Sequence, residues 1–484
     1  MEYLFIIPII GTIILIFLPT ENKKLIKQIS LITSLLTLME SIRIWLNLTE
    51  TTSDIQYKLI WNWIPMINYE LIFGIDGISI WYILLTTFLI PICILSSWDY
   101  IKFLEKQFYI SLISLLVLLI AVFSVLDLLG FYIFFEAVLI PMFLIIGVWG
   151  ARVQKITAAY YFFFYTLVGS LVMLLSIIYI WNSTGTTNYL TLLEYSKYFT
   201  EQEQILIFLA FFASLAVKIP KFPFHIWLPL AHVEAPLAGS ILLAGILIKL
   251  GSYGFIRFTI PLFSYGCVYW TPLIYTLSVI AIIYASLTTI RQTDLKRIIA
   301  YSSIGHMAVV TLAIFTLTVT GIEGSIYLQL AHGIVSSALF IVVTILYERH
   351  HTRIVKYYRG VTITMPIYST IFLFFTLANI AVPLSCNFIG EFLCLLATFE
   401  SNTIIGIFAS SGMVLSACYA LFLYNRVCFG SMSMFIKNYN NRDINRRELY
   451  ILIPLIFLTL LLGVYPNFIL DILHISVLNI VPSF

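Results

Sequence analysis

Apolar runs of about twenty residues, separated by short polar connections, recur from one end of this chain to the other. A helix needs about 20 such residues to cross about 30 Å of hydrocarbon. The runs predict about fourteen spans, near 3–19, 26–47, 78–99, 108–127, 130–150, 156–181, 204–230, 237–258, 271–290, 297–319, 325–347, 366–398, 403–427 and 449–470. Hydrocarbon holds no water to bond a bare backbone, so each span is expected to be helical unless it faces protein or a cavity. The chain therefore reads as an all-α membrane protein. Its first run, from Tyr3 to Leu18, has no basic leader and no small-residue cleavage site, and reads as a retained helix.

Two spans carry breaks. The seventh contains Lys218-Ile219-Pro220-Lys221-Phe222-Pro223-Phe224-His225, and the twelfth contains Ala381-Val382-Pro383-Leu384-Ser385-Cys386-Asn387-Phe388 before Gly390-Glu391. Proline lacks an N–H and clashes one turn back, so both segments are expected to unwind. Unwound backbone at membrane depth must line a polar cavity. The start of span four precedes Pro220 by 112 residues, and the start of span nine precedes Pro383 by the same 112. Spans 4–8 and 9–13 then read as two five-helix repeats with broken helices 7 and 12. Five is odd, so the second copy enters from the opposite side, an inverted design used by transporters. The expected divisions are 1–107, a three-helix segment; 108–258, the first repeat; 271–427, the second repeat; and 428–484, a loop and the last helix.

Charge in the connections orients the spans. Assigning loops alternately to two sides puts 19 of the 26 basic residues on one side, among them Lys23, Arg152, Lys296, Arg349 and Arg353. The other side receives three, Lys58, Lys197 and Arg257. This is a strong positive-inside pattern. Both termini fall on the outer side, as do the loops 48–77 and 182–203. The run Glu348-Arg349-His350-His351 lies in a basic inner loop and is expected to be solvated.

Composition narrows the function. The chain has 484 residues, 61% of them hydrophobic and 10% charged, and its mean hydropathy is +1.02. A net charge of +3 is too small and scattered for a nucleic-acid partner. The six cysteines, Cys93, Cys267, Cys386, Cys394, Cys418 and Cys428, form no C-x-x-C pair and read as core residues. No G-x-G-x-x-G or P-loop is present.

Against this background, Glu136, Lys218, Lys249 and Glu391 stand out, because each lies deep within a span. A charge there costs about 2.5–3.5 kcal/mol on insertion scales, so it must pair or face water. Burial favours the neutral form of each group, while an opposite neighbour favours the charged form. A Glu136–Lys218 pair can then switch: closed, the lysine holds its proton; open, it gives the proton up. Lys249 is flanked by Gly245 and Gly251 and has poor reach to either interface. His225 and His232 lie seven residues apart across the end of the broken helix and can relay protons at physiological pH. Glu391 follows the second break and can both cap a half-helix and exchange protons. His306 and His332 read as structural, and Lys221 as an extra charge without an assigned role.

These residues sit in motifs. Leu215-Ala216-Val217-Lys218-Ile219-Pro220, His225-Ile226-Trp227-Leu228-Pro229 and Ala231-His232-Val233-Glu234-Ala235-Pro236 resemble the signature of the antiporter-like subunits of respiratory complex I. Phe134-Phe135-Glu136-Ala137, Arg291-Gln292-Thr293-Asp294-Leu295-Lys296, Ser303-Ile304-Gly305-His306-Met307 and Phe388-Ile389-Gly390-Glu391-Phe392 are similar to it as well. The resemblance implies a fourteen-helix proton-pumping subunit of the membrane arm. It makes Glu136 and Lys218 the switching pair, Lys249 the central relay lysine and Glu391 the acid of the exit half-channel. An acid at that last position, where sibling subunits carry lysine, selects one branch of the family. The implied partners are other membrane-arm subunits, including sibling antiporter-like subunits, and the lipid bilayer. NADH, flavin, iron–sulfur clusters and ubiquinone are implied in partner subunits, with no cofactor in this chain. The implied location is the mitochondrial inner membrane, with basic loops in the matrix and both termini toward the intermembrane space. A free-standing cation/proton antiporter of the Mrp type, and a scaffold whose buried charges only set helix register, are the competing readings.

Overall fold

The computed structural model describes residues 1–49, 52–64, 69–437 and 442–481. Two helices, α1 (Glu2–Phe17) and α2 (Lys23–Leu46), lead into a hairpin of β1 (Gln56–Ile64) and β2 (Tyr69–Ile75). Helices α3 (Ser79–Ser97), α4 (Glu105–Ser124), α5 (Leu128–Ala137), α6 (Leu139–Trp149), α7 (Lys155–Thr184) and α8 (Tyr189–Tyr195) follow. The first broken segment is α9 (Glu201–Lys218) and α10 (Trp227–Glu234). Next come α11 (Leu237–Leu242), α12 (Ile248–Gly254) and α13 (Ile260–Leu262), joined by wide turns into one rod. Two long helices and a third, α14 (Ser264–Arg291), α15 (Leu295–Ile314) and α16 (Val319–His350), precede the second broken segment, α17 (Pro366–Asn379) and α18 (Cys386–Ser401). The chain continues through α19 (Thr403–Cys428), a short α20 (Met434–Lys437), α21 (Arg446–Val464) and α22 (Asn467–Leu478).

Among the described residues, 11 helices are long and apolar enough to cross a membrane, and three shorter ones are apolar. Several helices start where side chains cap them. Thr200 and Glu203 form a reciprocal capping box at α9, and Asn445 with Glu448 does the same at α21. Asp127, Asp294 and Asn402 cap α5, α15 and α19. Burial sorts the bundle. The apolar window of the Leu237–Leu262 rod is 100% buried and that of α16 is 94% buried, against 28% for α19. The rod and α16 are thus the axis, and α19 lies on the rim of the bundle.

Several expectations are corrected. The outer loop of 48–77 contains the antiparallel hairpin, with Leu59 opposite Phe73 and Trp61 opposite Leu71. Its β-branched and aromatic residues favour a strand. The last expected span, 449–470, ends at Val464, and α22 adds an apolar helix after it. Arg257 is not in an outer connection: it is buried within the rod and pairs with buried Asp76 at 2.6 Å. Lys296 and Arg353, counted among the charges of the basic side, are buried as well. Arg353 lies near Glu234 and Asp294, and donates to the Val233 carbonyl. The run at 348–351 is not a solvated loop either: Arg349 clasps Glu448 at 2.7 Å, and His350 is buried. Local hydropathy cannot register such pairing, because the partners lie on distant helices.

Candidate functional site

The first break forms as the proline rule requires. Helix α9 stops at Lys218, and the chain resumes helical form only at Trp227. The Lys221 N–H closes the end onto the Ala216 carbonyl at 2.9 Å, and the Trp227 indole donates to the Val217 carbonyl at 2.9 Å. Carbonyls left over at a helix end must find donors, and these two do. Lys218 therefore sits at the negative end of a helix dipole, which favours a cation. Its ammonium lies 4.0 Å from the Phe135 ring centre and donates to the Phe135 carbonyl at 3.1 Å. Glu136 is the next residue. Lys218 and Ser170 face its carboxylate, but neither carboxylate oxygen has a hydrogen-bond partner. The two charged groups are adjacent and not joined.

The second break ends in the same way. The Val382 N–H closes onto the Leu377 carbonyl at 3.2 Å, and α17 stops at Asn379. Helix α18 starts at Cys386 and carries Glu391, which is buried. Its Oε1 is 2.7 Å from His306 Nδ1 on α15. The His306 ring lies 5.5 Å from that of His332 on α16. His332 Nδ1 is in turn 3.0 Å from the Lys249 ammonium. Lys249 is fully buried on α12, between π-helical turns at Leu243–Leu247 and Phe255–Thr259. Such turns free backbone carbonyls and recur at functional sites. Here the freed Ala244 carbonyl accepts from the lysine. Lys249, His332, His306 and Glu391 thus form one buried row across three helices and a half-helix.

The structure gathers the expected residues unevenly. It sets Glu136 beside Lys218 without an ion pair, and it places between Lys249 and Glu391 two histidines, each bonded to one of them, that the sequence reads as structural. The signal that could have found them is the one that marked the four charges: a titratable side chain far inside an apolar span. His232 lies near the row, with its ring stacked on Phe340 at 4.7 Å and 6°. Lys296 and Lys249 face it, and neither ring nitrogen has a hydrogen-bond partner. His225 is placed apart, among Phe222, Tyr284 and Tyr301. Lys221 is buried, 5.5 Å from the Phe212 ring centre, and its ammonium has no hydrogen-bond partner. Among the described residues, no three His, Cys, Asp or Glu side chains are grouped so as to hold a metal.

A family model described as NADH:quinone oxidoreductase/Mrp antiporter, TM, matches residues 125–416, the region that holds every group above. NADH-ubiquinone oxidoreductase chain 4 of Marchantia polymorpha is 54% identical over 479 residues, covering 99% of this chain and 96% of the relative. The protein of the same name from Arabidopsis thaliana is 52% identical, with the same coverage of each. A chain of respiratory complex I from Thermus thermophilus superposes with a TM-score of 0.88 at 27% identity, over 99% of both chains. A chain of the Mrp complex from Dietzia shares the fold, with a TM-score of 0.85 at 17% identity over 99% of this chain and 97% of that one. The chain belongs to the antiporter-like membrane subunits of NADH:quinone oxidoreductase, in the family of NADH-ubiquinone oxidoreductase chain 4.

Proposed function

We propose that this chain translocates protons in the membrane arm of an NADH:ubiquinone oxidoreductase of the mitochondrial inner membrane. The observation that carries the reading is the buried row from Lys249 through His332 and His306 to Glu391, with contacts of 3.0 Å and 2.7 Å at its two ends. Structural charges are commonly paired acid to base. A lysine against a histidine, followed by a second histidine, is a set of groups that can each gain and lose a proton. Glu136 and Lys218 act as the switch that loads the row. His232 bridges toward it, and His225 belongs to the approach from the broken helix.

Buried polar groups are hydrogen-bonded in the great majority of cases, to protein or to water. The Glu136 oxygens, Ser214 Oγ, both His232 nitrogens and the Nε2 atoms of His306 and His332 have no protein partner. These atoms support a hydrated connection between the switch and the row. Moving one charge against 100 mV takes about 2.3 kcal/mol, a size that opening or closing one buried ion pair can supply.

The finer architecture belongs to the same proposal. Fourteen spans contain two inverted five-helix repeats, 108–258 and 271–427, after a three-helix segment, 1–107, and before a C-terminal part, 428–484. The like-closed helix ends at Lys218 and Asn379 support the repeat. Basic loops face the matrix and both termini face the intermembrane space. The partners are membrane-arm subunits, sibling antiporter-like chains among them. Electron transfer from NADH through flavin and iron–sulfur clusters to ubiquinone takes place in partner subunits, and this chain responds to the change of field.

The test is proton translocation by the assembled enzyme in sealed membrane vesicles. Lys218→Ala and Glu136→Ala are expected to abolish coupled translocation while assembly persists. Normal translocation in either variant overturns the assigned roles.

A further inference from the structure

The row from Lys249 to Glu391 runs across the bundle, and nothing described so far connects it to the basic-loop face. Helix α16 offers such a connection. Its i, i+4 ridge reads His332, Ser336, Phe340, Thr344, Glu348. Side chains four apart on a helix are neighbours, about 5–6 Å between Cβ atoms, and such a ridge is a continuous row on the helix surface. Four of its five members can carry or pass a proton.

Three observations single this ridge out. The Ser336 hydroxyl is buried and has no hydrogen-bond partner. At the other end, Thr344 and Glu348 line a cavity of about 20 Å³, together with Ser96, Arg447 and Glu448. That volume holds about one water. The cavity adjoins the surface, since Arg447 and its partner Asp99 are solvent-exposed. The one apolar member, Phe340, carries the His232 ring flat against it, with both ring nitrogens unpartnered. The imidazole thus lies alongside the single gap in the polar ridge. The Phe340 side chain has no group that can carry a proton, whereas the His232 ring beside it does.

We infer that Glu348, Thr344 and Ser336 form the limb by which protons enter from the basic-loop face and reach His332, with His232 on Phe340 as its gate. This rests on the relay reading above and deepens it. Glu348 collects the proton at the surface cavity, the Thr344 hydroxyl and a cavity water pass it inward, and Ser336 delivers it to His332. Each hydroxyl accepts one proton as it donates another, so no net charge remains on it.

The test compares variants of the assembled enzyme in sealed vesicles, reading NADH-driven proton translocation and NADH oxidation with an uncoupler present. Thr344→Val keeps the side-chain shape and removes the hydroxyl. Glu348→Gln removes the exchangeable proton. Both are expected to slow translocation on the order of ten-fold. Glu348→Asp is expected to recover most of it, and the deficit is expected to deepen as the pH on the basic-loop side rises, because proton supply then limits. A purely structural role gives neither the rescue nor the pH trend. Parental translocation in both Thr344→Val and Glu348→Gln, beside a Lys249→Ala variant that fails, overturns the limb and leaves the relay standing. A Lys249→Ala variant that translocates normally overturns the relay, and the limb with it.

Discussion

The two broken helices end alike and differ in what their charges do. At the first, Lys218 and Glu136 are neighbours without a hydrogen bond between them. At the second, the residue in the place of Lys218 is the neutral Asn379, and the acid, Glu391, is bonded to His306, whose ring lies 5.5 Å from that of His332. An open pair can be biased by a small change in field, because neither partner is locked. The row at the second has both end contacts made and a gap between its two histidine rings. One backbone device thus carries an unjoined acid and lysine in one half and a hydrogen-bonded acid in the other, and the difference lies in which side chains stand near the break.

This comparison can be broken at four places, with the largest loss first. Lys249→Met removes the one group of the row that sits at the junction with the first half. Translocation by the assembled enzyme is expected to fall on the order of 10³-fold, while a native gel still shows the complex. His306→Leu cuts the row between His332 and Glu391. A fall on the order of 10²-fold is expected, and His306→Gln, which keeps a hydrogen-bonding group but does not titrate, is expected to be nearly as poor.

A smaller effect is expected where the contact is already open. Glu136→Asp shortens the acid by one carbon and is expected to lower translocation on the order of ten-fold, with the Lys218 contacts to Phe135 intact. If Glu136→Asp is as damaging as Lys249→Met, the distinction drawn between the two breaks is lost. The least effect is expected from His225→Leu, about two-fold or less. Its ring lies among Phe222, Tyr284 and Tyr301, outside the row. A near-complete block in that variant would move His225 into the conducting path.

Much of this site was legible before any coordinates. Glu136, Lys218, Lys249 and Glu391 were visible because charge is costly in hydrocarbon, and the helix ends at Lys218 and Asn379 fall where Pro220 and Pro383 demand. His306 and His332 were under-read, since a histidine in an apolar span looks the same whether it bonds a carbonyl or a relay partner. Glu391 lies 85 residues beyond His306, and Lys249 lies 83 residues before His332. Spacing along one helix cannot report such meetings. The hairpin was missed because its strands were treated as connection, although Tyr57, Trp61, Trp63, Phe73 and Ile75 carry strand-forming character.

Sequence alone determined that this chain lives in a membrane, where most of its helices lie, where two of them break and which side chains pay a solvation penalty there. Those properties follow from hydropathy, backbone chemistry and the absence of water in hydrocarbon, all of which act locally. Tertiary structure decided which of the titratable groups touch, that Arg257, Lys296 and Arg353 are buried, and that Glu136 and Lys218 stand unjoined while Glu391 is bonded to His306. These depend on how helices distant in sequence pack side by side, and contact between them is set by the fold as a whole.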